Sequence, residues 1–183
     1  VQSFVAQWLE LVQLDDVVKD SESFPEFTPE LWEQMKEETR RFAAGVLLQD
    51  NYSYDAVLES NQSWLTPELA EIYGVEHPTG EGWASVTLPE AERAGVLTQG
   101  SFLAGRGGSV DPNTIMRSIG ILERVLCCDA PPPPEDIDDV IPPADEYHGP
   151  TTNRERVAES VSDPMCGGCH KAINPLGFAY ENY

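Results

Sequence analysis

Apolar residues recur at helical spacing through the first part of the chain, between short polar segments. Residues 1–14 carry their apolar side chains near one face and are predicted to form a helix. A second helix is predicted from Thr28 to about Leu48, because Thr28 can cap it and a proline follows at the first helical position. The same Thr-Pro-Glu-Leu order recurs at 66–69 and predicts a short helix that Gly74 can end.

The second part of the chain combines one strand pattern with helical patterns and a proline-rich segment. Residues 83–88 alternate like a short strand, and residues 90–104 and 112–127 have apolar side chains at helical spacing. Residues 129–150 contain four consecutive prolines and no lysine or arginine, which predicts an extended strap. A capping-box sequence at Thr152 begins a last helical segment.

These elements predict a mainly α fold of two domains. We expect residues 1–88 to form a helical, bundle-like domain. Residues 89–183 are expected to form a second helical domain that contains the proline-rich strap. A chain of 183 residues is long enough for two such small domains without disulfides.

The chain is strongly acidic, and this limits its partners. It has 11 lysine and arginine residues against 32 aspartate and glutamate residues, a formal net charge of -21. Such a charge repels nucleic acid phosphates and anionic lipids, and it favours a protein partner with a basic surface. No apolar run approaches the roughly 20 residues that span a bilayer, so no membrane span is predicted.

Residues 166–170 carry the most specific motif of the sequence, Cys-Gly-Gly-Cys-His. Two thiols three positions apart on a helical turn can reach both vinyl groups at one edge of a porphyrin, and the glycines leave room for the macrocycle. The motif predicts one covalent haem c, attached through Cys166 and Cys169 on a C-terminal haem-attachment helix. His170 is the predicted proximal ligand of the iron.

Two other interpretations of the cysteines stay open. The motif could be a redox-active dithiol, although no strand pattern precedes it, or part of a zinc site, which needs four ligands. The remaining cysteines, Cys127 and Cys128, are adjacent instead of spaced as a second zinc-binding pair. We expect these two thiols to be buried, to form a strained vicinal disulfide, or to bridge to another chain.

The residues after the motif are typical of a haem crevice. Residues 174–178 are predicted to form an apolar loop in which Pro175, Leu176 and Phe178 line the haem. Because proline has a carbonyl but no N–H, the Pro175 segment can approach His170 closely and accept its second ring proton. That hydrogen bond would orient the imidazole and increase its basicity.

The other haem contacts are predicted upstream, because no methionine or histidine follows the motif. Candidates for the distal iron ligand are His148 in the strap, Met116 in the preceding helix and His77; another chain could also supply it, or the site could be open. A Met/His pair raises the reduction potential relative to two histidines, and an open site would permit ligand binding. Arg117 or Arg93 could neutralise a haem propionate.

Several segments carry a family resemblance. In the second domain they are RAGVLTQ at 93–99, FL at 102–103, LC at 126–127, the prolines at 131–134, DPMCGGCH at 163–170, NPLGF at 174–178 and EN at 181–182. In the first domain they are WL at 8–9, ET at 38–39, LA at 69–70 and YG at 73–74. The chain resembles the planctomycete-type cytochrome c domain family, which consists of large exported multi-domain proteins.

The resemblance implies export and covalent haem attachment, but it identifies no substrate. It agrees with a chain that is part of a longer precursor with an upstream export signal, as expected from a sequence that opens directly into a helix and stops without a cap. Two departures from the family pattern are Ser160, where relatives often have a histidine, and Asn174, where many have an aspartate.

Electron transfer outside the cytoplasm is the function that these features favour, with a basic redox protein as partner. One alternative is a haem-bearing electron relay within a larger extracellular oxidoreductase. Another is self-association into a haem-containing filament, in which one subunit supplies the axial ligand of the next. We do not expect a self-contained enzyme, since the sequence indicates no catalytic acid or base beyond the haem.

Overall fold

The computed structural model describes residues 2–11, 17–49, 53–78, 80–130, 132, 152–162 and 164–183. Within these ranges, eight helices and a two-stranded antiparallel sheet form a mainly α fold, which confirms the predicted fold class. The chain divides into two compact units, Val1–Gly105 (unit 1) and Arg106–Tyr183 (unit 2). Most of the strap predicted at 129–150 lies outside the described residues. No helix in the described ranges is long and apolar enough to cross a membrane.

Unit 1 contains five of the helices and the sheet. In chain order its elements are α1 Gln2–Trp8, α2 Pro29–Gln49, α3 Tyr54–Glu59, β1 Gln62–Leu65, α4 Pro67–Tyr73, β2 Ala84–Thr87 and α5 Gly100–Gly105. Helix α1 is shorter than predicted, because Glu10 has a left-handed φ of 58° that ends the helical path. The prediction of one helix over 1–14 is therefore wrong.

Helix α2 is the central element of unit 1. It packs against α1, α3, α4, α5 and β1. Apolar residues three and four positions apart share one face of a helix, and on α2 they bring Leu31, Trp32 and Met35 into the core. The sheet, α4 and the residue after β2 supply the rest of this cluster, namely Leu65, Leu69, Ala70, Val86 and Leu88. Burial of each large side chain stabilises the unit by roughly 1.5–3 kcal/mol.

The predicted helix caps are present in unit 1. The Thr28 hydroxyl accepts a hydrogen bond from the Leu31 N–H at 3.1 Å, and the Thr66 hydroxyl accepts one from the Leu69 N–H at 3.2 Å. Gly74 ends α4 in the left-handed conformation, with φ of 66° and ψ of 30°. These contacts confirm the two Thr-Pro-Glu-Leu segments as helix starts.

The strand predicted at 83–88 is confirmed as β2, and it pairs with a second strand, β1, that was not predicted. Strand β1 runs antiparallel to it, with Gln62 opposite Thr87 and Leu65 opposite Ala84. Because β1 leads directly into the cap of α4, the sheet helps to position α4 against α2.

Residues 90–104 do not form the continuous helix that was predicted. Gly95 has a φ of 61°, and its N–H donates to the Ser60 carbonyl at 2.8 Å. A Cβ at this position would overlap the Leu58 carbonyl oxygen, so only glycine permits this close approach. The chain therefore turns at Gly95 and continues as a short 3₁₀ turn, Val96–Thr98, followed by α5.

Unit 1 extends beyond the domain boundary predicted after residue 88. Val96 and Phe102 are buried within it. Helix α5 approaches α2 so closely that a Cβ on Gly100 would lie 2.9 Å from the Met35 sulfur. The structural division falls at the end of α5 because this segment completes the packing around α2.

Unit 2 contains three helices in its described part, α6 Thr114–Arg124, α7 Asn153–Ser160 and α8 Pro164–Phe178. Helix α6 confirms the helix predicted within 112–127, and the capping box predicted at Thr152 is also present. The Thr152 N–H donates to Glu155 Oε2 at 2.8 Å, and the Glu155 N–H donates to the Thr152 hydroxyl at 3.2 Å.

Helices α6 and α8 form the main interface of unit 2. They meet at Gly177, whose N–H donates to the Ser118 hydroxyl at 2.8 Å. A Cβ on Gly177 would overlap the Thr114 carbonyl oxygen and would lie 2.5 Å from the Ser118 hydroxyl oxygen. The absence of a side chain at Gly177 therefore permits the close packing of the two helices.

A polar cluster ties the C-terminal residues to α6 and α7. Asn153 Nδ2 donates to the Thr114 hydroxyl at 3.1 Å and to Glu181 Oε2 at 2.9 Å, and the Thr114 hydroxyl donates to the same carboxylate. Arg156 forms an ion pair with Asp111 at 3.0 Å. These contacts hold the segment after α8 in place.

Candidate haem-binding site

Helix α8 carries the three residues of the predicted haem-binding motif. Cys169 and His170 lie three and four positions after Cys166, so each is a neighbour of Cys166 on the helix surface. Cys166 and His170 are half-buried, Cys169 is exposed, and neither cysteine forms a disulfide. The helix therefore presents two free thiols and an imidazole together.

Two glycines leave the helix surface beside the motif free of side chains. A Cβ on Gly168 would meet no atom within 4 Å in the described part of the chain, and one on Gly167 would make only an ordinary contact, 3.4 Å from the Val161 carbonyl oxygen. Cys169 lies next to this open side. The donor set of two thiols and one imidazole is the one that holds haem c, so the residues present fit that cofactor.

The ring of His170 is oriented by a side chain one helical turn further on. Its Nδ1 lies 3.0 Å from Asn174 Oδ1, so the ring N–H donates to the amide oxygen. Asn174 is only 5 % exposed. This hydrogen bond leaves Nε2 as the ring nitrogen that can ligate a metal.

The loop predicted at 174–178 is wrong, since α8 continues through it. Pro175 is exposed inside the helix, and the acceptor for His170 is the Asn174 side chain instead of the Pro175 carbonyl. Proline removes one helical hydrogen bond. The contact of Gly177 with α6 holds the last turn in place despite this loss.

Leu176 and Phe178, the other predicted crevice residues, are half-buried on the same helix. The Arg154 guanidinium lies 4.8 Å from the centre of the Phe178 ring and donates to the Phe178 carbonyl at 2.8 Å. One side of this ring is therefore in contact with a cation from α7.

Arg117, a predicted partner for a haem propionate, is buried in α6. Its Nη1 donates to the Tyr180 carbonyl at 2.7 Å. Burial lowers the pKa of this guanidinium, and the negative charge of Glu181 opposes that effect. Arg117 thus ties the end of the chain to α6. Arg93, the other candidate, belongs to unit 1, where its guanidinium lies 4.6 Å from the centre of the Tyr73 ring.

The predicted distal ligands lie in different surroundings. Met116 is on α6, with 47 % of its surface exposed. His77 belongs to unit 1, where its Nε2 lies 3.1 Å from the Leu65 carbonyl oxygen. His148 lies outside the described residues. The identity of the distal ligand therefore stays a prediction.

Cys127 and Cys128 are exposed just after α6, and neither forms a disulfide. The burial expected for them is wrong, because α6 ends at Arg124 and Cys127 follows with a left-handed φ of 52°. In the part of the chain that the structure describes, no group of three or more His, Cys, Asp or Glu side chains could hold a metal ion.

Unit 1 contains a buried polar cluster that is absent from the sequence-based expectations. Glu38 is fully buried, and its carboxyl accepts hydrogen bonds from the Ser63 hydroxyl at 2.6 Å and the Tyr73 hydroxyl at 2.8 Å. The Gly100 N–H donates to the Tyr73 oxygen at 2.7 Å. A signal was available, since Glu38 follows Met35 by three residues and so falls within the apolar stripe of α2.

Burial raises the pKa of Glu38 to about 7, although hydrogen bonds from Ser63 and Tyr73 and the charge of Arg93 oppose the shift. Because the folded pKa lies above the ordinary value of 4.5, the group favours folding fully below pH 4.5. This contribution of Glu38 to the free energy of unfolding is about 3 kcal/mol, and it is lost as the pH rises through 7.

The free energy of unfolding of a Glu38→Gln variant, relative to that of the natural chain, should therefore rise by about 3 kcal/mol as the pH increases from 4.5 to 8. The amide mimics the neutral carboxyl and does not ionise. Urea denaturation followed by tryptophan fluorescence measures the effect in unit 1, because all four tryptophans lie in it. Glu30→Gln, at an exposed acid of the same helix, is the control. Equal pH dependence of the two variants would contradict the assignment.

Two comparisons with known families cover most of the chain. Residues 93–183 match PSCyt3, described as a protein of unknown function (DUF1588), and residues 1–75 match PSD4, described as a protein of unknown function (DUF1592). Neither a curated protein nor a solved structure shows significant similarity to the chain. The two matches suggest the planctomycete-type cytochrome domain family that the sequence resembles, and the functions of both matched domains are unknown.

Proposed function

We propose that the chain is a c-type monohaem cytochrome module that transfers single electrons outside the cytoplasm. The observation that carries this proposal is the arrangement of two free thiols and an imidazole on one surface of α8, with the imidazole oriented by Asn174. The match of residues 93–183 to a family whose name points to a cytochrome supports it.

Each motif residue has a defined role in the proposal. Cys166 and Cys169 would each add S–H across one vinyl double bond of the porphyrin, so that a carbon–sulfur bond forms and the proton goes to the other vinyl carbon. His170 would ligate the iron through Nε2, because its Nδ1 donates to Asn174. The bound haem supplies reversible one-electron chemistry.

The charge of the chain supports a redox protein with a basic surface as partner. A net charge of -21 attracts such a protein over distances of about the Debye length, roughly 8 Å at physiological salt. The proposed location is periplasmic, at the cell surface or extracellular, in line with the resemblance to exported proteins.

Visible spectroscopy of the mature full chain tests the proposal. The protein is exported from a host with a cytochrome c maturation system, purified, and converted to its pyridine haemochrome under denaturing conditions. We expect one haem per chain, a spectrum of the type given by two thioether bonds, and colour that stays with the denatured protein. A colourless protein with both motif thiols titratable would contradict the proposal.

The visible spectrum of the oxidised protein distinguishes an iron with two axial ligands from an iron with an open coordination position. A low-spin spectrum that cyanide leaves unchanged supports an iron with two axial ligands and hence electron transfer. A high-spin spectrum that shifts on cyanide addition would instead count against simple electron transfer.

A further inference from the structure

Asn174 links the histidine of the proposed haem site to the packed interior of unit 2. Its neighbours on the buried side of α8 are Ile173 and Gly177. Its side-chain oxygen lies 3.0 Å from His170 Nδ1. A buried amide without a partner costs about 1–3 kcal/mol, so the packing around Asn174 favours retention of this hydrogen bond.

We propose that Asn174 is a positioning residue that sets the electron donation of His170 to the haem iron, an inference that rests on the function proposed above. As the acceptor for Nδ1–H, it holds the ring in the tautomer whose Nε2 can ligate. As a neutral acceptor, it makes the imidazole less basic than a carboxylate would. A less basic ligand stabilises ferric iron less, so the reduction potential is higher.

Because the acceptor is a side-chain oxygen, a substitution can change it without changing the backbone of α8. Asn174→Asp keeps the shape of the side chain and adds a charge to the acceptor. Asn174→Leu keeps a similar volume and removes the acceptor. Ala172→Asp adds the same charge to an exposed position of the same helix and serves as the matched control.

Protein-film voltammetry of the haem-loaded full chain at pH 7 measures the effect. We expect Asn174→Asp to raise the ratio of oxidised to reduced protein at least tenfold at a fixed potential. For one electron, this corresponds to a reduction potential lower by about 59 mV. Ala172→Asp should change this ratio much less. A shift in Asn174→Asp no larger than in Ala172→Asp would overturn the inference.

Asn174→Leu provides an independent measurement should the aspartate variant lose its haem. Proton NMR of the reduced protein follows the exchange of the His170 Nδ1 proton with solvent, which should be at least about tenfold faster in Asn174→Leu because its hydrogen bond is gone. Unchanged exchange would overturn the inference. A natural chain without haem would instead refute the proposed function itself, so the two failures are distinguishable.

Discussion

Replacement of Cys166 and Cys169 together by alanine is expected to leave the exported chain with no covalently bound haem. Each thioether bond of the proposed site needs one of these sulfurs. Without them, haem is held only through its iron, and denaturant breaks that attachment. Pyridine haemochrome spectra and the mass of the denatured protein should therefore change from one haem per chain to none.

The chain offers a matched control in its other pair of cysteines. Cys127 and Cys128 are also exposed thiols, but they lie after α6 and outside the motif. Their double alanine variant should keep a full complement of haem. Single variants at Cys166 or Cys169 should retain one thioether bond and show a shifted haemochrome band. Covalent haem in the Cys166/Cys169 double variant would refute the site.

Gly177→Ala should destabilise unit 2 by about 3 kcal/mol, at the upper end of the usual cost of overpacking. The added methyl group would overlap the Thr114 carbonyl oxygen, which belongs to the backbone of α6 and cannot rotate away. Separation of the helices would relieve the overlap but would break the hydrogen bond from Gly177 to Ser118. Urea denaturation followed by far-ultraviolet circular dichroism measures this loss, since unit 2 has no tryptophan.

The same substitution at Gly45 separates the packing effect from helix propensity. Gly45 lies inside α2, and a Cβ there would be 3.5 Å from Trp64 Nε1, an ordinary contact. Gly45→Ala should therefore stabilise unit 1 by roughly 0.5–1 kcal/mol. A stabilising effect of Gly177→Ala as well would show that the close approach of α6 and α8 is not required.

Helix ends were predictable from the sequence because their chemistry is local. The side chains of Thr28, Thr66 and Thr152 bond to N–H groups three residues away, and Gly74 takes its left-handed conformation at low cost. No distant part of the chain needs to be known for such contacts. The capping positions therefore agree between sequence and structure.

Elements that depend on distant contacts were not predictable in this way. Residues 62–65 pair with residues 84–87, which a local pattern does not reveal. The break near Gly95 arises from the approach of the chain to Leu58. Tertiary packing thus overrode the helical periodicity of residues 90–104.

The sequence predicts the motif residues of the candidate site, because their spacing is local, but it does not predict the acceptor of the His170 ring. The spacing of the motif identified His170, and the structure places it with the two cysteines on one helix. The loop predicted at 174–178 brings the Pro175 carbonyl to the His170 ring as its expected acceptor. Because these residues are helical instead, Asn174 is the residue at the four-residue spacing that reaches the ring.

The stretch from Val96 to Phe102 lies within the PSCyt3 match, yet it packs inside unit 1, whose residues 1–75 match PSD4. A gene recombination between the two matched regions would therefore exchange the buried Phe102 without exchanging α2, against which its helix α5 packs. Since a mismatched large core residue costs several kcal/mol, most such hybrids would fold poorly. We therefore expect selection to act against such recombination and to keep the two matched regions of this chain together.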